Sequence, residues 1–377
     1  LDNTLDISPV NSLEFGFQWT KNDITYGYDQ ETDEEESDDD NDENTRNLFN
    51  ILNQDQSGSY SSGYIQDRWT LFNKLTLTPG LRYTHFDVTG ENFLEPRLSA
   101  RLNLSERFSI KGAWGHYHQF VNRVTREDLM QGNREFWSLA NGEEVPIGQA
   151  VHYIGGVSYE TPTWLVDVEA YHKDLEGLTE FALRNTPFQP PQEGNFNNFF
   201  EQGTGIAEGV EFLLQKKAGN PYGWICYTLS RVEYDFPELS DEPYPALHDQ
   251  THEFKFVGIL ELGKWSVSST WIYATGKPYT EPGGTESIEL FNGRSISRVT
   301  YGEKNAARLP DYHRMDVAVN RRFKLGTADC LLGASIFNLY ARKNVWYKEY
   351  DVIEGEIIDT NVLFMGWTAN LSFSIKF

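Results

Sequence analysis

Apolar and polar residues alternate along most of this chain, and the alternation runs to its last residue. In "WTANLSFSIKF" (367–377), Trp367, Ala369, Leu371, Phe373, Ile375 and Phe377 are apolar, and every residue between them is polar. A period of two places the two sets on opposite faces of a sheet. The same template fits "KLTLTPGLRY" (74–83), "RLSARLNL" (97–104), "KWSVSSTWIY" (264–273) and "RMDVAVNRRF" (314–323). It predicts about fourteen strands, over 12–29, 59–73, 75–88, 95–104, 107–121, 151–160, 164–179, 203–216, 222–235, 250–262, 264–275, 311–324, 328–340 and 361–377. "LDNTLDI" (1–7) also alternates, which reads as the end of an earlier strand. Helical spacing does not persist beyond a turn or two.

The connections alternate in length. Tight turns fall at Phe72–Leu75, Ser105–Arg107, Thr161–Thr163, Ala218–Tyr222, Leu262–Lys264 and Leu325–Ala328. Long polar or Pro/Gly-rich stretches lie between them, at 30–58, 122–150, 180–202, 236–249, 276–310 and 341–360. Only the 89–94 connection is short on the long-loop side. Short turns at one end and long loops at the other suit an outer-membrane barrel. Strands of ten or more residues suit a tilted membrane crossing better than a sandwich. A barrel also satisfies its backbone in lipid because it has no free edge. The expected fold is therefore all-β: an antiparallel transmembrane β-barrel meander whose apolar face meets lipid and whose polar face meets a wet lumen. A soluble sandwich or propeller is the alternative, but no blade-length repeat supports a propeller.

Composition fits this reading. Hydrophobic residues are 39% and mean hydropathy is -0.54, as expected when only alternate residues need be apolar. Aromatics reach 14%, enough for interfacial girdles. No apolar run is long enough for a membrane helix. A formal net charge of -24 argues against nucleic acid as a partner. Cys226 and Cys330 have no metal-type spacing. At four strands apart they would lie about 19 Å from one another, against a disulfide limit of ~7 Å.

The chain resembles the C-terminal part of the barrel of a TonB-dependent outer-membrane receptor. The resemblance rests on "SGYIQDRWTLFNKLTLTPGLRYTHFDVTGENFLEPRLSARLNL" (62–104), "GIAEGVEFLLQKK" (205–217), "GWICYTLSR" (223–231), "ATGKPYT" (274–280), "RLPDYHRMDVAV" (308–319) and "ASIFNLYARKN" (334–344), in that order. It implies an integral outer-membrane location and energy-coupled uptake of a scarce nutrient such as a ferric siderophore, vitamin or oligosaccharide. It also implies a barrel of the twenty-two-strand type. An N-terminal plug that engages an inner-membrane energy-coupling protein is part of the family pattern and has no counterpart in these residues. Residues 1–377 are expected to be one domain, an open curved sheet with the strands at 12–29 and 361–377 as its free edges. Phe377 is similar to the terminal aromatic that the barrel-assembly machinery reads. Lipid and lipopolysaccharide are the expected surroundings. A passive pore, or an outer-membrane adhesin or enzyme, are the alternatives.

Candidate chemistry is sparse. No catalytic constellation, metal site or cofactor motif is found, so the chain is not expected to be an enzyme. "DQETDEEESDDDNDEN" (29–44) has eleven acids and no base. It fails as an EF-hand, because Glu43 stands where Gly is needed and Phe49 where Glu is needed. It reads as a solvated acidic segment within an extracellular loop at 30–58. His116 and His118 share the parity of Phe108, Ile110 and Trp114, and are expected in the interfacial belt rather than in a metal site. "GTGIAEG" (203–209) is one residue too long for a dinucleotide loop. Glu208 and Glu211 are expected to line the lumen. Loop 122–150 offers Arg123, Arg126, Arg134, Phe136 and Trp137. This mix of cationic and aromatic groups suits a small anionic, aromatic ligand; ordinary loop packing is the alternative.

Overall fold

The computed structural model describes residues 1–32, 47–130, 132–182, 199–289, 295–353 and 356–377. Fifteen strands form the wall. They are β1 (Asp2–Ser8), β2 (Asn11–Thr32), β3 (Asn47–Leu71), β4 (Leu75–Phe86), β5 (Glu91–Asn103), β6 (Phe108–Gln119), β9 (Gly148–Glu160), β10 (Trp164–Phe181), β11 (Phe200–Lys216), β12 (Tyr222–Asp235), β14 (His252–Leu262), β15 (Trp265–Ala274), β20 (Tyr312–Leu325), β21 (Ala328–Phe337) and β24 (Thr368–Lys376). Nine shorter strands lie in the connections: β7 (Val121–Arg126), β8 (Arg134–Leu139), β13 (Tyr244–Pro245), β16 (Pro278–Tyr279), β17 (Pro282–Glu289), β18 (Ser295–Tyr301), β19 (Ala307–Arg308), β22 (Val345–Ile353) and β23 (Glu356–Leu363). There is no α-helix among the described residues.

Each wall strand pairs antiparallel with the wall strand next to it in sequence. One register carries a single face across the whole sheet. Leu5 lies opposite Leu13, Phe15 opposite Ile65, and Ile65 opposite Leu81. Further round, Val157 lies opposite Val168, Phe212 opposite Tyr227, and Val267 opposite Val319. Leu332 then meets Phe373 on the last strand. These side chains stay exposed: Phe17 at 52%, Trp19 at 60% and Phe373 at 58%. A continuous apolar surface that size has no place in water.

The opposite face is polar and cross-linked. Lys111 bridges Asp167 (2.9 Å) and Glu169. Glu95 accepts from Arg97 at 2.9 Å and lies 3.8 Å from Arg82. Gln66 donates to Glu14 at 2.6 Å. The tight turns need left-handed backbone where the strand reverses. Gly326 takes φ 64° there, and Phe72 and Asn73 adopt φ 51° and 55°.

Several expectations are corrected. The pairing is not wholly antiparallel, because β7 meets the end of β10 in parallel at Glu180–Thr125 and Phe181–Arg126. The hairpin β7–β8 lies in the connection between β6 and β9, which pair with each other without it. Its direction is set by packing at the mouth rather than by the meander. The free edges also differ: among the described residues β1 pairs only with β2, and β24 only with β21. Residues 361–363 belong to β23, and the backbone leaves strand geometry at Phe364–Trp367. The predicted loop 30–58 is largely strand, since β2 and β3 pair out to Thr32–Asn47. Above a membrane both faces of a hairpin meet water, so pairing there needs no alternation. The remainder of the acidic run, 33–44, falls outside the described residues.

Phe373 lies on the apolar face and Ser372 on the polar one. Replacing Phe373 with Arg should destabilise the folded chain by ~2–4 kcal/mol if the site lies near the bilayer midplane. Ser372→Arg should be mild. A refolding titration in lipid vesicles checks this, and equal costs at the two positions would contradict the face assignment.

Candidate functional site

The long connections gather at one end of the wall, where the molecule's apolar cores also lie. Val124, Phe136, Val145, Phe181 and Phe200 form one cluster. Phe86, Phe120, Leu139, Ala140 and Ile147 form a second. The hairpin β7–β8 contributes to both and so plugs itself against the inner wall. Tyr26 stacks on Phe136 at 4.2 Å between ring centroids, an aromatic contact that adds to the burial.

A buried ionic cluster joins four of these connections. Lys304 Nζ lies 2.7 Å from Glu180 and 3.1 Å from Glu127, with the lysine and Glu127 side chains 1% exposed. Tyr244 donates to Glu180 at 3.2 Å and Thr280 to Glu127 at 3.2 Å. Asn305 Nδ2 donates to the carbonyl of Pro245. A second clamp lies beside it. Arg308 binds Asp249 at 2.5 Å, and Asp249 also accepts from the Val232 amide at 2.8 Å.

Under these clamps lies a cavity of about 840 Å³. Arg123, Arg134, Lys277 and Lys348 line it, with Tyr279, Trp346, Tyr347 and Tyr350. Four of its five lining carboxylates face a cation. Glu127 and Glu180 face Lys304, Glu135 lies 3.0 Å from Arg123, and Asp128 lies 3.4 Å from Arg126. Arg134 instead sits over the Tyr347 ring at 5.7 Å. Hydrogen bonding to Asp359 pushes the Lys348 ammonium above its ordinary range, so it stays charged. Burial pushes the Tyr279 and Tyr350 phenols up, and a hydrogen bond to Glu281 adds to this at Tyr279. Burial, and then the charges of Lys277 and Arg123, hold His248 below the usual imidazole range. At neutral pH the cavity therefore presents ammonium and guanidinium groups beside neutral rings.

Of the five residues singled out in loop 122–150, Arg123 and Arg134 line this cavity. The other three lie elsewhere. Arg126 is 7% exposed against Asp128, Phe136 is 3% exposed in the core, and Trp137 is 53% exposed. On β8 the odd and even positions face opposite ways, which separates Phe136 from Trp137. The sequence reading missed Lys277, Tyr279, Trp346, Tyr347 and Lys348. The signal was there in "GKPY" and "WYKEY", aromatic–lysine runs inside long connections. Gly132 takes φ 75°, and a Cβ on it would lie 2.6 Å from the Tyr347 ring, so only glycine lets this turn seat the tyrosine.

Two other expectations change. His116 packs edge-on against Trp114 on the apolar face. His118 turns inward and is bound to Glu95, by its amide at 2.8 Å and its ring at 3.3 Å, because the β5–β6 ladder ends at Arg97–Gly115. Glu208 does not line the lumen; it lies opposite His172 on the face of Val210 and Phe212, three residues and hence one face away from Glu211.

A large meander with one apolar face, and a mouth filled by clamped loops, is the architecture of an outer-membrane β-barrel wall. The chain belongs to the TonB dependent receptor-like, beta-barrel family, whose sequence model matches residues 2–339. Barrels of this family are outer-membrane proteins, and its members are receptors and transporters. The fold is similar to that of a variant ferric enterobactin receptor from Pseudomonas aeruginosa (TM-score 0.59, 14% identity, 100% of this chain and 53% of that one). It is likewise similar to the siderophore receptor PirA from Pseudomonas aeruginosa (0.57, 12%, 99% and 55%). The ferric yersiniabactin uptake receptor FyuA from Yersinia pestis gives 0.60, 12%, 100% and 53%. The chain thus spans about half the length of these structures. No curated protein matches the sequence.

Lys304→Met should leave two carboxylates buried without their cation and cost the loop cluster ~3–5 kcal/mol. Limited proteolysis should then cut within 276–310 while the wall survives. Adding Glu127→Gln and Glu180→Gln should recover most of the resistance. Equal resistance of the Lys304→Met and unaltered proteins would contradict the clamp.

Proposed function

We propose that residues 1–377 form one sector of the wall and mouth of an outer-membrane receptor that takes up a small anionic, ring-bearing nutrient chelate. The observation that carries this reading is the mouth cavity. Arg134 and Lys277 face it beside neutral Tyr279, Trp346 and Tyr347, and Lys348 is paired with Asp359, while of the acids lining the mouth Glu127 and Glu180 share Lys304, Glu135 faces Arg123 and Asp128 faces Arg126. Such a surface attracts negative charge and offers ring faces for stacking. The solved structures named above are a ferric enterobactin receptor, a siderophore receptor and a ferric yersiniabactin uptake receptor, and the shared fold supports this class of ligand.

Uptake against a gradient needs work, which the family resemblance assigns to an inner-membrane partner. The reading therefore includes a further domain within the barrel and an inner-membrane coupling protein, as the family implies. The two singly paired edges, β1 and β24, suit a wall continued by further strands. The clamped mouth favours a gated receptor over an open pore.

A ferric tris-catecholate chelate serves as the probe, with the intact receptor and Trp fluorescence as the readout. The double variant Arg134→Ala/Lys277→Ala should weaken binding by about ten- to a hundredfold, the scale of one or two charge-assisted contacts. A neutral chelate of similar size should bind more weakly and respond little. Identical binding of both chelates by both proteins would overturn the reading.

A further inference from the structure

Five of the chain's 8 histidines lie on the apolar parity of the wall, towards the long-connection end of their strands. His85 on β4, His116 on β6, His172 on β10, His252 on β14 and His313 on β20 each stand eight to twelve residues from the tight-turn end of their strand. A membrane strand needs about 9–11 residues, so all five sit where hydrocarbon gives way to headgroups. The apolar belt directly below them fixes the occupant of this tier, because a lipid whose chains cover Phe212 or Phe256 holds its headgroup here.

We infer that these histidines form a headgroup belt that binds the phosphate of outer-leaflet lipids and strengthens as the imidazoles protonate; this rests on the outer-membrane reading above. An imidazole N–H donates to phosphate, and an imidazolium also attracts its charge. Four of the five have neutral immediate partners. His85 meets Asn92 at 3.0 Å, with Ser61 opposite and Asp87 held by Ser59. His116 packs on Trp114 with Val151 opposite, while Glu95 is engaged by His118. His252 binds the Tyr227 hydroxyl at 2.8 Å, with Leu229 opposite and Arg231 committed to Glu233. His313 binds the Tyr340 hydroxyl at 2.8 Å; nearby Asp311 accepts from Tyr273, and the Asp311 carbonyl accepts from Arg342. His172 differs, lying 3.0 Å from Asp174 and 3.5 Å from Glu208. Its charge is shared first with those carboxylates, so it contributes least.

The test uses the intact receptor in detergent, offered equal phosphatidylglycerol and a phosphate-free diglucosyl diacylglycerol, with retained lipid counted by native mass spectrometry. Retention is compared at about pH 7.5 and about pH 5.5, on either side of the pKa of free histidine. Preference for the phosphate lipid should rise by roughly three- to tenfold over that interval. The variant with all five histidines changed to Gln should show no rise. Should it fail to fold, His85→Gln/His252→Gln should show a reduced one. A rise of the same size in the folded Gln variants, or no rise in the unaltered receptor, overturns the belt. Retention of neither lipid overturns the outer-membrane reading itself.

Discussion

The mouth of this barrel wall depends on one lysine held out of water. Lys304 reaches both Glu127 and Glu180, and through them joins the connection after β7, the end of β10 and the long connection before β20. Desolvating three charges is costly, and the attraction offsets that cost only when the geometry is good and the remaining oxygens are satisfied. Here Tyr244 and Thr280 supply those bonds. The arrangement acts as a register device. An apolar cluster can slide, whereas a buried cation with two fixed anions has one arrangement that leaves no charge exposed to a low dielectric. The cavity's electrostatics follow from the same contact. With Glu127 and Glu180 satisfied internally, Arg134 and Lys277 across the cavity are left to act on whatever enters.

The wall is held differently. Its stability comes from the unbroken ladder and from the match between one apolar face and lipid, not from a core. The polar face needs no close packing, only satisfied charge, and it is crossed by pairs such as Lys111 with Asp167 and Glu95 with Arg97. True cores appear only at the mouth, where Phe136 and Phe181 are buried by connections folding inward. The molecule thus has two regimes along its length, lipid-matched below and globular above. The histidines at the boundary belong to neither.

What the sequence by itself determined is everything that follows from period two. Fourteen of the wall strands, their meander, their faces and the side on which the long connections lie were legible, because each strand's alternation is a local property and lipid enforces it without reference to distant residues. Most residues of a face could be named from parity alone; Glu208 was misplaced where that parity was ignored, and His118 where it ceases to hold. Only the tertiary structure decided the mouth. Loop strands such as β7, β16 and β22 carry no enforced period, since their surroundings differ on every side. Arg126 and Phe136 looked like ligand groups but are held by Asp128 and by an apolar cluster, while Lys277 and Tyr347, far apart in the chain, share the cavity with Arg134. The pairing of Lys304 with Glu127 spans nearly half of the chain, and no local pattern encodes a contact whose energy exists only once water has been excluded from both partners.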